Sequence, residues 1–137
     1  MPKEFLDTSI LVYANDRAAK EKQNVAISLV KGLIRSGGGV LSTQVQMEYA
    51  AVATGKLGQP REAITRQLFV LERLEVVAVS GETVRNGLEL AEAFDVSFRN
   101  ALVLAAAHAA RCEILWSEDF QHDRLYGAVR VRNPFLA

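Results

Sequence analysis

The chain has 137 residues, half of them apolar, which is enough for one buried core and too short for two ordinary domains. Sixteen basic residues balance sixteen acidic ones, so no net field draws the protein to nucleic acid or to an anionic membrane, and any such partner must be met by a local patch. A single cysteine, Cys112, excludes an internal disulfide framework and a cysteine-rich zinc site, and the opening MPKEFLDTS resembles neither a signal peptide nor a membrane span. Together these features predict a soluble, cytoplasmic protein organised as one domain over residues 1–137.

From the N-terminus onward, short β-prone runs alternate with longer helical patterns. Glu4 to Leu6 is the first run. Arg17 to Arg35 follows as a helix, with Val25, Ile27, Leu29, Val30, Leu33 and Ile34 at roughly helical spacing and Ser36-Gly37-Gly38-Gly39 as its stop. The glycines do not form a phosphate loop, which runs from a strand through glycines into a helix and carries a Lys-Ser/Thr pair. Gly39 to Leu41 is the next β-prone run, and Thr43 is placed to cap a helix reaching about Thr54, where Gly55 stops it. Pro60 opens a helix to about Leu74, and Val76 to Val79 reads as a strand. Ser80 or Gly81 begins a helix ending near Asp95, and Ser97 caps one to about Arg111. Ile114 to Trp116 and Ala128 to Val131 complete the β-prone runs. With no repeat or linker to divide it, this βαβ alternation predicts an α/β domain with a mainly parallel sheet covered by helices on both faces.

In such a sheet, ligands bind beyond the carboxyl ends of the strands, where loops and helix N-termini converge. Asp7 comes directly after the first run, and Asp119 follows Ile114-Leu115-Trp116 after only Ser117 and Glu118, so two strands deliver carboxylates to one edge. Each alone is equally well read as a helix cap. Glu48 adds weight, because its helical neighbours Val45 and Val52, with Tyr49 beside it, place the carboxylate on an apolar stripe. An unpaired buried carboxylate is costly and needs a cation, a donor or a wet cleft. Asn100 shares a face with Val103, Leu104 and Ala107 and points a polar group inward near a helix N-terminus, although it also suits a bond back to the cap at Ser97.

Three acids and an amide at one cleft describe a hard-cation site, since oxygen donors without Cys or His suit Mg²⁺ or Mn²⁺ better than zinc. Two like charges about 4 Å apart repel by about 4 kcal/mol at an effective dielectric of 20, so clustered carboxylates call for a cation. A divalent ion in such a place activates water and stabilises charge developing in a phosphodiester displacement.

The segments FLDTSILVYA, TQVQMEYA, SFRNALVLAAA and ILWSEDFQHDRLYGAVRVRNPF resemble, in order and spacing, the successive motifs of PIN domains, and especially of VapC-type ribonuclease toxins, over essentially the whole chain. The resemblance implies a three-layer α/β/α sandwich and Mg²⁺- or Mn²⁺-dependent endonucleolytic cleavage of RNA. It also implies homodimerisation and inhibition by a small VapB-like antitoxin. It assigns Asp7, Glu48 and Asp119 to the metal and places Ser9 and Ser117 at the border of the site.

One motif departs from that pattern. In SFRNALVLAAA, Asn100 stands where these toxins usually carry aspartate, and Arg99 replaces a residue that is often aromatic. Asparagine keeps the shape of aspartate and loses its charge, which weakens metal binding and impairs catalysis. Three origins fit: a toxin disarmed by an Asp→Asn replacement, a natural relaxation in which Asp7, Glu48 and Asp119 still hold one ion, and a PIN-like module that binds antitoxin or RNA without cutting. On this reading, Asn100→Asp restores metal-dependent cleavage.

Among the remaining residues, Arg99 beside Asn100 is a candidate to hold an RNA phosphate, while Arg111, Arg124, Arg130 and Arg132 read as a solvated basic face. His108, His122 and Cys112 read as structural or surface groups. Apolar surface on the helix from Arg17 or on that from Pro60 offers a groove for a partner helix. A phosphotransfer receiver domain shares the length and alternation, but it needs an acidic pair after the first strand and a late lysine, and no lysine follows Lys56. A dehalogenase-like phosphatase needs a second aspartate where Ser9 stands.

Overall fold

The computed structural model describes residues 2–136, so Met1 and Ala137, the two ends of the expected domain, lie outside the described residues. The chain enters through β1 (Glu4–Leu6) and turns at once into α1 (Thr8–Ala14), a helix absent from the sequence-based expectation, with Asp7 as its N-cap. Two turns follow, in which Asp16 accepts from the amide of Ala18 through its side chain and from that of Ala19 through its carbonyl. They delay α2 to Lys20–Ser36. That helix ends where expected, at Gly37, whose φ of 77° is the left-handed conformation a glycine adopts without strain.

β2 (Gly39–Ser42) begins in a tight place, because a Cβ on Gly39 would lie 2.7 Å from Leu74 Cδ2 and 3.0 Å from Leu33 Cβ. Ser42 caps α3 (Thr43–Thr54) by accepting from the amide of Val45, one residue ahead of the expected cap. Thr43 Oγ1 instead accepts from the amide of Val79 at 3.1 Å and so ties α3 to the chain beyond the third strand. α4 (Arg61–Leu71) starts after Pro60 and stops three residues early, where the amide of Leu74 turns back to the carbonyl of Leu71. β3 is Glu75–Val77. α5 (Gly81–Phe94) opens with a reciprocal Ser80–Thr83 capping box, and α6 (Phe98–Ala109) with Ser97 accepting from the amide of Asn100. β4 (Ile114–Trp116), the short β5 (Leu125–Tyr126) and β6 (Val129–Arg132) complete the sheet.

Among the described residues, six strands in the order β3-β2-β1-β4-β6-β5 form one sheet, parallel throughout except for the β5–β6 hairpin. Phe5, Leu6, Val40, Leu41 and Leu115 are buried, as expected of strands covered on both faces. Helix α6 brings Ala101, Val103, Leu104, Ala105, Ala106 and Ala107 into the core, and these mostly small side chains let it lie close to the sheet. Gly87 of α5 meets Leu102 and Phe98 of α6. Leu33 is buried, while Leu29 and Ile34 pack against the core from its edge. Among the described residues, six helices flank the sheet as a three-layer α/β/α sandwich. None of them is long and apolar enough to cross a membrane.

The strand order places the site. From β1 the chain winds outward through β2 to β3, and then returns to β4 on the other side of β1. β1 and β4 are therefore central neighbours at the point where the winding reverses, with Leu6 opposite Trp116. Asp7 and Ser117, the next residue on each strand, leave the sheet side by side at its carboxyl edge, the usual ligand position of such folds.

Candidate active site

Asp7 is fully buried and held from several directions. Its Oδ1 accepts from the amide of Thr8 at 2.7 Å, the capping bond that starts α1, and its Oδ2 accepts from Ser117 Oγ at 2.7 Å. Ser117 in turn accepts from the amide of Asp119 at 3.0 Å, so the loop after β4 is fastened to the end of β1. Glu48 reaches the same place from α3, where its Oε1 accepts from Thr8 Oγ1 at 2.5 Å and its Oε2 from Gln44 Nε2 at 3.5 Å.

Between these acids lies the guanidinium of Arg99. Nη2 donates to Asp7 Oδ1 at 2.8 Å, to Glu48 Oε1 at 2.5 Å and to Thr8 Oγ1 at 3.0 Å. Nη1 donates to Asp7 Oδ2 at 3.2 Å and to Asn100 Oδ1 at 3.0 Å, and Nε donates to Glu48 Oε2 at 3.1 Å. Asp119 stands further out, half exposed, with its Oδ2 3.7 Å from Nη1. The structure thus brings together Asp7 and Asp119 from beyond the ends of β1 and β4, Glu48 from the middle of α3 and Asn100 from the first turn of α6. It places Arg99 among them, with its guanidinium facing the carboxylates of Asp7 and Glu48.

The electrostatics follow from these contacts. Burial opposes charge on Arg99, but its bonds to Glu48 and Asp7 outweigh that and hold the guanidinium more firmly protonated than a free arginine. Burial likewise acts to raise Glu48, yet the bonds from Arg99 and Thr8 prevail and keep it below its ordinary value. Asp119 is raised, first by burial and then by the nearby charge of Asp7, because its contact with Arg99 is too long to compensate.

Oxygen donors suit Mg²⁺ or Mn²⁺, but their present arrangement does not fit an ion. Among the described residues, no three His, Cys, Asp or Glu side chains form a group able to hold a metal, and the positive charge between Asp7 and Glu48 belongs to Arg99. Ser9 and Gln44 each carry one buried oxygen, Oγ and Oε1 respectively, without a hydrogen-bond partner.

Two residues of the cluster escaped the sequence reading. Thr8 bridges Glu48 and Arg99, and its only sequence signal is that it follows a capping aspartate. Gln44 lies one helical turn before Glu48 and donates to the backbone carbonyl of Arg99 at 3.2 Å, which ties α3 to the start of α6. Other candidates lie outside the cluster. His108 Nε2 is 2.9 Å from the carbonyl of Tyr126, and His122 Nδ1 accepts from the amide of Asn133. Arg124 stacks on the ring of Tyr126, and Arg130 donates to the carbonyl of Asp123. Burial, reinforced by Glu75, pushes the Cys112 thiol up to about 12, far from nucleophile chemistry.

Several solved structures share the fold, among them three that are each 18% identical to this chain in sequence. A toxin–antitoxin complex from Klebsiella pneumoniae matches with a TM-score of 0.69 over 97% of this chain and 98% of the other. VapC20 of Mycobacterium tuberculosis, a toxin that cleaves the sarcin–ricin loop, matches at 0.66 over 85% and 92%. VapBC2 of Rickettsia felis, bound to a DNA fragment from its promoter, matches at 0.62 over 95% and 98%. No protein of curated function matches the sequence. The PIN domain family model matches residues 5–128, spanning the strand ends and helices that carry Asp7, Glu48, Asn100 and Asp119, and on that match the chain belongs to the PIN domain family.

Proposed function

We propose that the protein is the endoribonuclease toxin of a VapBC-type toxin–antitoxin pair, cutting RNA at the acids beyond β1 and β4. The convergence of Asp7, Glu48 and Asp119, with Asn100 beside them, carries this reading, because phosphodiester cleavage needs clustered oxygen donors at an accessible sheet edge. Full-length likeness to toxin–antitoxin structures supports a small VapB-like antitoxin as partner and the cytoplasm as the place of action. A second copy of the chain completes a homodimer. Asp7, Glu48 and Asp119 are the residues proposed to hold Mg²⁺ or Mn²⁺, with Ser9 and Ser117 at the border. Arg99 must leave the carboxylates before an ion takes its place.

A second reading, a PIN-like module that binds RNA or antitoxin without cutting, is favoured by Arg99 filling the cluster and by the uncharged Asn100. Incubation of the purified chain with bacterial RNA and excess Mn²⁺ separates the two. The toxin reading expects internal cuts that Asp7→Asn reduces at least about 100-fold, in line with loss of one group that stabilises charge in the transition state. RNA retarded on a native gel but left intact would establish the non-cutting reading, and equal cutting by Asp7→Asn would exclude this cluster as the centre.

A further inference from the structure

We propose that Arg99 is the resident cation of the acid cluster, standing in for a divalent ion and closing the site to metal until it withdraws. The saturation of the carboxylates carries this inference. A carboxylate oxygen offers about two lone-pair directions, and all of those on Asp7 are taken: Oδ1 by Thr8 N and Arg99 Nη2, Oδ2 by Arg99 Nη1 and Ser117 Oγ. Glu48 is in the same condition, with Thr8 Oγ1 and Arg99 Nη2 on Oε1 and Arg99 Nε and Gln44 Nε2 on Oε2. Even the side-chain Oδ1 of Asn100, an oxygen of the kind an ion takes, accepts from Arg99.

Charge leads to the same conclusion. Three carboxylates and one guanidinium leave the cluster at a formal −2. With aspartate at 100 and an uncharged side chain at 99, the same cluster would stand at −4. Relative to that arrangement the Arg99-Asn100 pair makes the cluster less negative by two units, one from the guanidinium and one from the absent carboxylate, the same change a divalent ion brings. Asparagine at 100 also suits this arrangement geometrically, because its Oδ1 accepts from Nη1 without adding a charge that would call for a second cation. The guanidinium is anchored through its own backbone, since Gln44 holds the Arg99 carbonyl, and an arginine does not lose its proton at any working pH. The closure therefore yields to a competing anion or to movement of α6.

This inference concerns occupancy of the cluster and holds whether or not the chain cuts RNA. It is tested by titrating the full-length, metal-stripped chain with MnCl₂, followed by calorimetry and by the electron paramagnetic resonance of free Mn²⁺. The parent should bind at least tenfold more weakly than Arg99→Leu, and Asn100→Asp alone should leave Mn²⁺ binding weak. Arg99→Leu/Asn100→Asp should bind tightest, and adding Asp7→Asn to Arg99→Leu should abolish binding. Melting temperature should respond to Mn²⁺ only in the variants lacking Arg99. Parent affinity equal to that of Arg99→Leu, or no gain on removal of Arg99, would overturn the proposal. If Arg99→Leu does not fold, Asn100→Asp decides: Mn²⁺ binding that rises at least tenfold with Arg99 intact refutes the closure, and binding as weak as the parent's upholds it.

Discussion

Arg99→Leu is expected to lower stability in metal-free buffer by about 3 kcal/mol, the lower end of the cost of breaking a buried ion pair. The lower end applies because Arg99 keeps about a third of its side chain exposed, with a relative accessibility of 32%, while Asp7 has none. Asp7 would retain Thr8 and Ser117 as donors but lose the only cation in contact with it among the described residues. For a domain of this size the melting temperature should fall by roughly 10 °C. Asp7→Asn in the same background should recover part of the loss, giving a coupling energy of about 1–3 kcal/mol in denaturant unfolding, whereas strict additivity would show that the pair does not interact. The pair also shapes the acid limb. Glu48 has a folded-state pKa below its unfolded value of about 4.3, so its contribution is complete above that pH and is lost as pH falls through the lower folded value. Asp119, raised in the fold, acts in the opposite sense: its protonated form is favoured, and that contribution is lost as pH rises through the raised value. Arg99→Leu should remove the Glu48 limb.

The second large effect is a gain. Arg99→Trp with Asn100→Asp is expected to raise Mn²⁺-dependent RNA cleavage at least about 100-fold over the parent, a factor typical of restoring one preorganised charge-stabilising element. Each single replacement should fall well short. Arg99→Trp alone leaves Asn100 without the missing charge, and Asn100→Asp alone gives the guanidinium another anion to hold. Reading residue 100 in isolation leads to a different expectation, that Asn100→Asp suffices, and cleavage rates of the two singles and the pair decide between them. Growth arrest of a host expressing each variant should follow the same order.

Much of this site is legible in the sequence because it depends on local rules. A short strand with Phe5 and Leu6 buried, followed by a capping aspartate, positions Asp7, and helical spacing against Val45, Val52 and Tyr49 turns Glu48 inward. Ser97 caps α6 and so fixes Asn100 in the first turn of that helix. The misplaced details are those settled by distant partners. α1 is only seven residues long and gains its stability from packing on its neighbours, so no long periodic pattern announces it. β5 has two residues and exists through its hairpin with β6. Strand order depends on crossovers, which apolar runs do not encode. Arg99 is the clearest case: its backbone lies where the helix pattern puts it, but a long flexible side chain goes where charge draws it. That charge comes from Asp7, 92 residues away in sequence, and Glu48, 51 residues away. A basic residue beside an uncharged stand-in for an acid was the available signal, and it pointed equally well to a phosphate.

The cation in the cluster can be seen directly. Crystals of the parent chain grown in MnCl₂, with diffraction collected at the manganese edge, should show no anomalous peak among Asp7, Glu48 and Asp119 and should show Arg99 density bridging Asp7 and Glu48. A manganese peak bound by Asp7 and Asp119, with Arg99 turned away, would contradict the assignment of Arg99 as their counter-ion.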